Sequence, residues 1–304
     1  MSDEVRVNML VAETDHIEVH YRAGSSDYLW VPFAPMGYYA DGTKPFWGER
    51  VSVMADISTL AFMAKAPNWY PLRDMEKALA AIRPLGINNR RIVTYGSSMG
   101  GYAALKYSKL VGATHAISFG PQVTIHPDHI NPDFNPHRVY YNPEIHHDVT
   151  INKDDLCENA VVLYDPFDEI DAGCIAMLRE ISPSIGFVRV PLVGHEVIRV
   201  FAGTATTQSV IEHTFAGDMK ALTRMGATRR TLPHRARVLL QFYCERNPHR
   251  AIALFKPFED KIPARETIAF YFAAQRELRK RGDNSIESFV ESRIHDLKKA
   301  ITGA

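Results

Sequence analysis

Gly96-Ser97-Ser98-Met99-Gly100 has the pattern G-x-S-x-G. It lies between a β-branched apolar run, Arg91 to Tyr95, and a helix-forming run, Met99 to Leu110. A serine hydroxyl is a poor nucleophile unless it is exposed, beside a base and near donors that can hold an oxyanion. A tight strand-to-helix turn meets the first need by lifting the hydroxyl above the carboxyl edge of a sheet. Such a turn strains the serine backbone and requires neighbours without bulk, which Gly96, Gly100 and Gly101 provide. The helix that follows points free N–H groups and its positive dipole end at the same spot. The alternative reading of these residues is a plain Gly/Ser turn.

A nucleophilic serine needs a base and a group to orient the base. In the fold that such a strand–elbow–helix turn resembles, the partners follow in the chain order Ser, acid, His, each in a loop at the carboxyl end of a strand. After the strand-like Ala160–Tyr164 comes Asp165-Pro166-Phe167-Asp168-Glu169-Ile170-Asp171. After the strand-like Phe187–Pro191 comes Leu192-Val193-Gly194-His195, and His195 is the only histidine between residues 148 and 212. His195 is therefore the expected base. For the acid, Asp168 lies in the bend with room to reach an imidazole, and it is the first choice. Asp165 is next, although beside Pro166 it could bond the loop backbone instead. Asp171 just precedes a helix expected from about residue 172 and reads as its N-cap.

These elements imply a positioning scaffold. Strands are expected at Val5–Val11, Ile17–Tyr21, Tyr28–Phe33, Arg50–Met54, Arg91–Tyr95, His115–Phe119, Ala160–Tyr164 and Phe187–Pro191, and a helix at Pro71–Ile82. Strands alternating with helices predict an α/β fold, a mostly parallel sheet with helices on both faces. Residues 121–159 break the alternation with many Pro, His, Asn, Asp and Tyr residues, as a lid or insertion over a substrate pocket would. From about residue 206 only helical patterns remain. The expected organisation is a domain over 1–205 with its insertion, and an all-helical C-terminal extension over 206–304.

At GSSMG, DPFDEID and VGH the chain resembles the α/β-hydrolase superfamily over about residues 5 to 205. GSSMGGYAAL followed by ISFGPQ also resembles hydrolases found with surface-polysaccharide and glycan-export genes. The first resemblance implies a serine esterase whose nucleophile elbow carries Ser98, with a catalytic triad completed by His195 and Asp168. It implies an oxyanion hole from the N–H of Met99 and one from Ala34-Pro35-Met36-Gly37. Pro35 has no N–H, so Ala34 or Met36 must serve, with Met36 preferred. The second resemblance implies an acylated carbohydrate as substrate. Such acyl transfer needs no cofactor and no metal. Its substrates would be small-molecule or carbohydrate esters. A non-catalytic binding or scaffold protein that keeps the fold and docks a partner through its helical tail is the alternative.

Composition bounds the rest. The chain has 304 residues, 46% hydrophobic and 23% charged, enough to bury a sizeable core. Its 35 basic residues balance 35 acidic ones, so no global field recruits nucleic acid. From Arg224 onward 17 Lys and Arg face 9 Asp and Glu, which reads as a solvated basic helical surface or as a tail that binds something acidic, such as the acidic face of the chain's own first part, and the tail could also dock a protein partner. No apolar run reaches the roughly 18 residues of a membrane helix, and the acidic start is unlike a signal peptide. With Cys157, Cys174 and Cys244 lacking any CxxC pair, reduced thiols and a cytoplasmic location are expected. His126 and His129, near Asp128, Asp133 and Asp148, have metal-like spacing. Interruption by Pro127, Pro132, Pro136 and Pro143 and the lack of HExxH favour no metal. No Gly-Lys-Ser/Thr phosphate loop or Gly-x-Gly-x-x-Gly is present. Tyr38, Tyr39, Phe46 and Trp47 could line a pocket or pack a loop over the sheet.

Overall fold

A computed structural model describes residues 8–86, 91–228 and 233–302. Its sheet contains β1 (Met9–Glu13), β2 (Ile17–Arg22), β3 (Tyr28–Phe33), β4 (Ser58–Ala64), β5 (Arg91–Ser97), β6 (His115–Phe119), β7 (Asn159–Tyr164) and β8 (Gly186–Arg189). The order is β1-β2-β4-β3-β5-β6-β7-β8. β1 with β2 and β2 with β4 are antiparallel, and every later pair is parallel. Of the strand expected over Val5–Val11, residues 5–7 lie outside the described residues.

Register decides where chemistry can sit. Phe33 pairs with Gly96, Ser97 with Phe119, and Phe119 with Leu163, so β3, β5, β6 and β7 end nearly level. The loops leaving these strands share one edge, and the alternating arrangement of parallel strands brings residues distant in sequence together there.

Helices cover both faces. α1 (Glu49–Met54) precedes β4, α2 (Leu72–Ile82) precedes β5, α3 (Met99–Lys106) follows β5, and α4 (Glu169–Ile181) follows β7. Met75, Tyr102 and Ile175 from α2, α3 and α4 pack with Val31, Phe62 and Val162 in one cluster. On the other face the rings of Trp30, Tyr95, Phe119 and Phe201 follow each other at centroid spacings of 5.6, 5.1 and 5.6 Å. There α5 (Thr204–Phe215) sets Phe215 edge-on to Tyr28 and His115.

The strand expected at Arg50–Met54 is instead α1. Its valines alternate as in a strand, yet the buried residue is Ser52, whose hydroxyl donates to Ile57 O, while Val53 and Met54 are exposed. The true strand is β4, buried along its whole length. The helix expected from about residue 172 begins at Glu169.

The chain divides into two compact units, Met1–Pro191 with His195–Gly226, and Leu192–Gly194 with Ala227–Ala304. The break near residue 205 therefore moves to about 226, because α5 and most of α6 (Met219–Thr228) belong to the sheet unit. The second unit contains α7 (Pro233–Arg246), α8 (Pro248–Phe255), α9 (Ala264–Lys280) and α10 (Glu287–Thr302). They enclose a core of their own that includes Leu240, Phe255, Phe270, Tyr271 and Val290.

Candidate active site

Ser98 sits between β5 and α3 with φ 55° and ψ −121°. This backbone conformation is strained for a non-glycine residue. It is held by Ser98 N–H donating to Phe119 O at 2.9 Å and by Tyr102 N–H donating to Ser98 O at 2.8 Å. A Cβ on Gly96 would lie 2.1 Å from Gly100 O, and one on Gly100 would lie 2.2 Å from Phe33 O. Both flanking glycines are thus required by close backbone approach, as the G-x-S-x-G pattern implies.

His195 Nε2 lies 2.9 Å from Ser98 Oγ. Its Nδ1 lies 2.7 Å from Asp171 Oδ1. An ionised carboxylate only accepts, so Nδ1 carries the proton and Nε2 is left to accept from the Ser98 hydroxyl. That is the tautomer a general base needs. Asp171 is 2% exposed at its side chain and His195 34%. Burial pulls the His195 pKa down, but the hydrogen bond and charge of Asp171, joined by Asp168 and Glu196, outweigh it and leave the imidazole above its ordinary value. Burial pushes the Asp171 carboxyl up, and the neighbouring imidazole only partly offsets this.

Asp168, the acid expected from the sequence, does not meet His195. Its carboxylate accepts from Asp171 N–H at 3.0 Å and is the N-cap of α4. The two residues exchange the expected roles because α4 starts three residues early, so that Asp171 falls in the first helical turn and faces the imidazole. Asp165 accepts from Phe167 N–H at 2.9 Å, the local loop bond its position beside Pro166 suggested.

Met99 opens α3 and is fully buried. Its N–H lies in the first turn, where helix N–H groups lack intrahelical partners. The loop after β3 runs against the same turn, since Gly100 packs on Phe33 O and Ala34 O. Ala34 N–H is committed to Phe62 O at 3.1 Å, which leaves Met36 as the candidate second donor. Tyr38, Phe46 and Trp47 pack the next segment down: Phe46 is 2% exposed, Tyr38 donates to Pro45 O, and Trp47 lies on Tyr95.

The fold is of the α/β-hydrolase type. Its strand order, its elbow after β5 and its chain order Ser, Asp, His all agree with the superfamily the motifs resembled. No family model matches the chain, and no curated protein matches it. Similar solved structures include an esterase of Pyrococcus furiosus, 14% identical, covering 70% of this chain and 93% of its own, with a TM-score of 0.44. The capsule O-acetyltransferase of Neisseria meningitidis serogroup A is 13% identical over 72% of this chain and 96% of its own, with a TM-score of 0.47. A thermophilic esterase of Thermogutta terrifontis is 13% identical over 72% and 96%, with a TM-score of 0.48. The activities named for those proteins remain theirs.

Between β6 and β7 the chain makes only three short helical turns, Pro132–Phe134, Pro136–Tyr140 and Lys153–Asp155. Lys106 of α3, 1% exposed at its side chain, bonds Asp148 and Asp155 at 2.8 and 2.9 Å and Thr150 O at 2.8 Å, tying down the far end. His126 and His129 stack ring on ring at 3.8 Å, and their Nδ1 atoms bond Asp128 N–H and Thr150 Oγ1. Among the described residues no group of three His, Cys, Asp or Glu could hold a metal ion. His137 approaches the Trp69 ring at 5.3 Å. Burial, and then the charge of His195, lowers the pKa of His137. Trp69 and Tyr70 have φ 46° and 53°, a second strained pair at the carboxyl edge.

Sequence reasoning missed two contributors. Gly120 has φ 52°, and a Cβ there would stand 2.9 Å from Asp171 Oδ2 and 3.3 Å from His195 Nδ1. Gln122 places Nε2 3.3 Å from Ser98 Oγ. Both lie in Gly120-Pro121-Gln122, immediately after β6, and position at a strand end beside the elbow was the available signal.

Proposed function

We propose that the chain is a serine hydrolase that cleaves a carboxylic ester through an acyl-enzyme, with Ser98 as nucleophile, His195 as base and Asp171 as its orienting acid. The observation that carries this reading is the continuous hydrogen-bonded relay from Ser98 Oγ through His195 to the buried Asp171 carboxylate. His195 Nε2 takes the hydroxyl proton as Oγ bonds to the ester carbonyl carbon. The tetrahedral oxyanion is held by the N–H groups of Met99 and Met36. Collapse breaks the bond to the leaving alkoxide, which receives the proton from His195. Water then repeats the sequence on the acyl-enzyme, and Ser98 leaves as the hydroxyl. Asp171 keeps the proton on Nδ1 and stabilises the imidazolium at each step.

A fluorophosphonate probe and short-acyl p-nitrophenyl esters test the reaction, with acetylated sugars beside them to test the carbohydrate substrate. Native protein labels and turns over, and Ser98→Ala does neither. Equal turnover by Ser98→Ala would remove the assignment. A lack of labelling by the folded native protein would favour the binding or scaffold alternative.

A further inference from the structure

The Gln122 side chain presents a problem that packing does not solve. The residue is 2% exposed, and its Oε1 is buried with no hydrogen-bond partner among the described residues. Hiding an amide carbonyl without a partner forfeits its hydration with no bond in exchange, so such a group in a native fold calls for an explanation. The hydrogen bond that this side chain makes is Nε2–H donating to Ser98 Oγ, at 3.3 Å. Residues on either side are positioned by other means: Gly120 N–H donates to Leu163 O, and Val123 O accepts from Ile151 N–H. The backbone is therefore fixed without help from the amide, and the amide is aimed at the nucleophile while its own oxygen goes unsatisfied.

Building on the Ser98 reading above, we infer that Gln122 is a catalytic residue that stabilises negative charge on Ser98 Oγ itself, distinct from the donors that hold the substrate oxyanion. In the resting site Ser98 Oγ donates to His195 Nε2 and accepts from Gln122 Nε2–H, a combination that uses the hydroxyl hydrogen and one lone pair and leaves another lone pair for attack. As the proton moves to His195, charge grows on Oγ and the N–H···O bond strengthens. Once Oγ has become an ester oxygen it is a poorer acceptor, and the bond weakens. In deacylation Oγ is the leaving group: the bond between it and the carbonyl carbon breaks, charge returns to Oγ, and His195 returns the proton. Gln122 thus assists Ser98 both as nucleophile and as leaving group. Atoms and electrons balance without any further reactant.

The test uses the full chain with Gln122→Met, which keeps length and apolar bulk but removes the donor, and Gln122→Glu, which keeps shape. Thermal melting and circular dichroism confirm the fold of each. For Gln122→Met, fluorophosphonate labelling and kcat on a p-nitrophenyl ester should both fall about 10–100-fold, the range for one donor at a charged centre, with KM within about threefold. Labelling matters because the probe consults the nucleophile whatever the natural substrate is. For Gln122→Glu the ionised carboxylate stands one hydroxyl oxygen from the imidazole. It should move the acid limb of the pH–rate profile upward by favouring the imidazolium, which a merely structural role would not do. Folded Gln122→Met that labels at the native rate, or faster, overturns the inference while Ser98 dependence stands. Labelling that survives Ser98→Ala would instead overturn the reading beneath it.

Discussion

The carboxyl edge of the sheet and the helical unit are built by different rules. In the sheet unit, non-glycine residues with left-handed backbones follow β4 (Trp69, Tyr70) and β5 (Ser98) and precede β4 (Asp56), and Leu192, grouped with the second unit, is another. Among the described residues, buried side-chain polar atoms without partners occur at the carboxyl edge on Trp69, Gln122 and Asp171, but also on Arg22, Trp30 and Asp74 and, within α9, on Tyr271. Within α7–α10 no described non-glycine residue takes such a backbone. That unit follows local conventions. Asn247 caps α8 by accepting from Arg250 N–H with Pro248 in the first turn, and Gly282 ends α9 with φ 67°. Some of its basic side chains pair internally, as Arg279 does with Glu287 and Glu291 and Arg293 with Glu259. Strained backbone persists only where surrounding structure over-determines it, as the bonds of Ser98 N–H to Phe119 O and of Tyr102 N–H to Ser98 O do at the elbow.

The contrast is easiest to break at Ser98. Ser98→Ala should lower kcat/KM about a million-fold, the loss seen when a nucleophile that works as part of a unit is removed. Ser98→Gly should be equally inactive yet raise thermal stability by about 1 kcal/mol, since glycine tolerates that backbone. A lower melting temperature for the glycine variant would show that no strain is stored there.

Next in size is the exchange between the two aspartates. Asp171→Asn should cost about 10⁴-fold in kcat, because the amide favours the wrong imidazole tautomer. Asp168→Ala should remove only a helix cap, about 1 kcal/mol of stability, with turnover nearly unchanged. The reverse ranking, measured by steady-state kinetics and denaturant melts, would restore Asp168 as the acid.

The pH dependence sharpens the same point. His195 must be neutral to act as base, and its pKa lies above the ordinary 6.5, so activity should fall as pH drops through that raised value. In Asp171→Asn only burial remains to act strongly on the ring, and the limb should shift to lower pH. For stability the sign is opposite. A raised folded pKa means that the protonated ring contributes fully below about pH 6.5, and the contribution is lost as pH rises through the folded value. Matched profiles for the two proteins would contradict the Asp171 contact.

The smallest expected effect lies in the helical unit. Asn247→Ala should destabilise it by about 1 kcal/mol without altering ester turnover. A change in kcat there would blur the separation between the two regions.

Local chemistry was legible along the chain wherever it was local. The elbow could be read because G-x-S-x-G between a strand and a helix states its own geometric need. His195 stood out as the one histidine in the right loop. β3, β5, β6 and β7 were legible as short apolar runs. β4 was not, since Leu60, Ala61 and Met63 suit helices as well as strands and only two-sided burial makes them a strand. α1 was misread because alternating Val51 and Val53 resemble a strand, and hydrogen bonding of the buried Ser52 overrides that pattern.

By itself the sequence determined an α/β fold, a serine and a histidine that the structure brings within hydrogen-bond distance, and a helical C-terminal part, because periodicity and turn chemistry act over neighbouring residues. Which carboxylate meets the imidazole was decided only by tertiary structure. Asp168 and Asp171 are three residues apart, the spacing that makes one the cap and the other a first-turn side chain of the same helix. The helix start and the approach of Gly120 from β6 chose between them. Gln122 became part of the site for the same reason: strand register brought its amide to Ser98, a contact between residues 24 apart that no local pattern encodes.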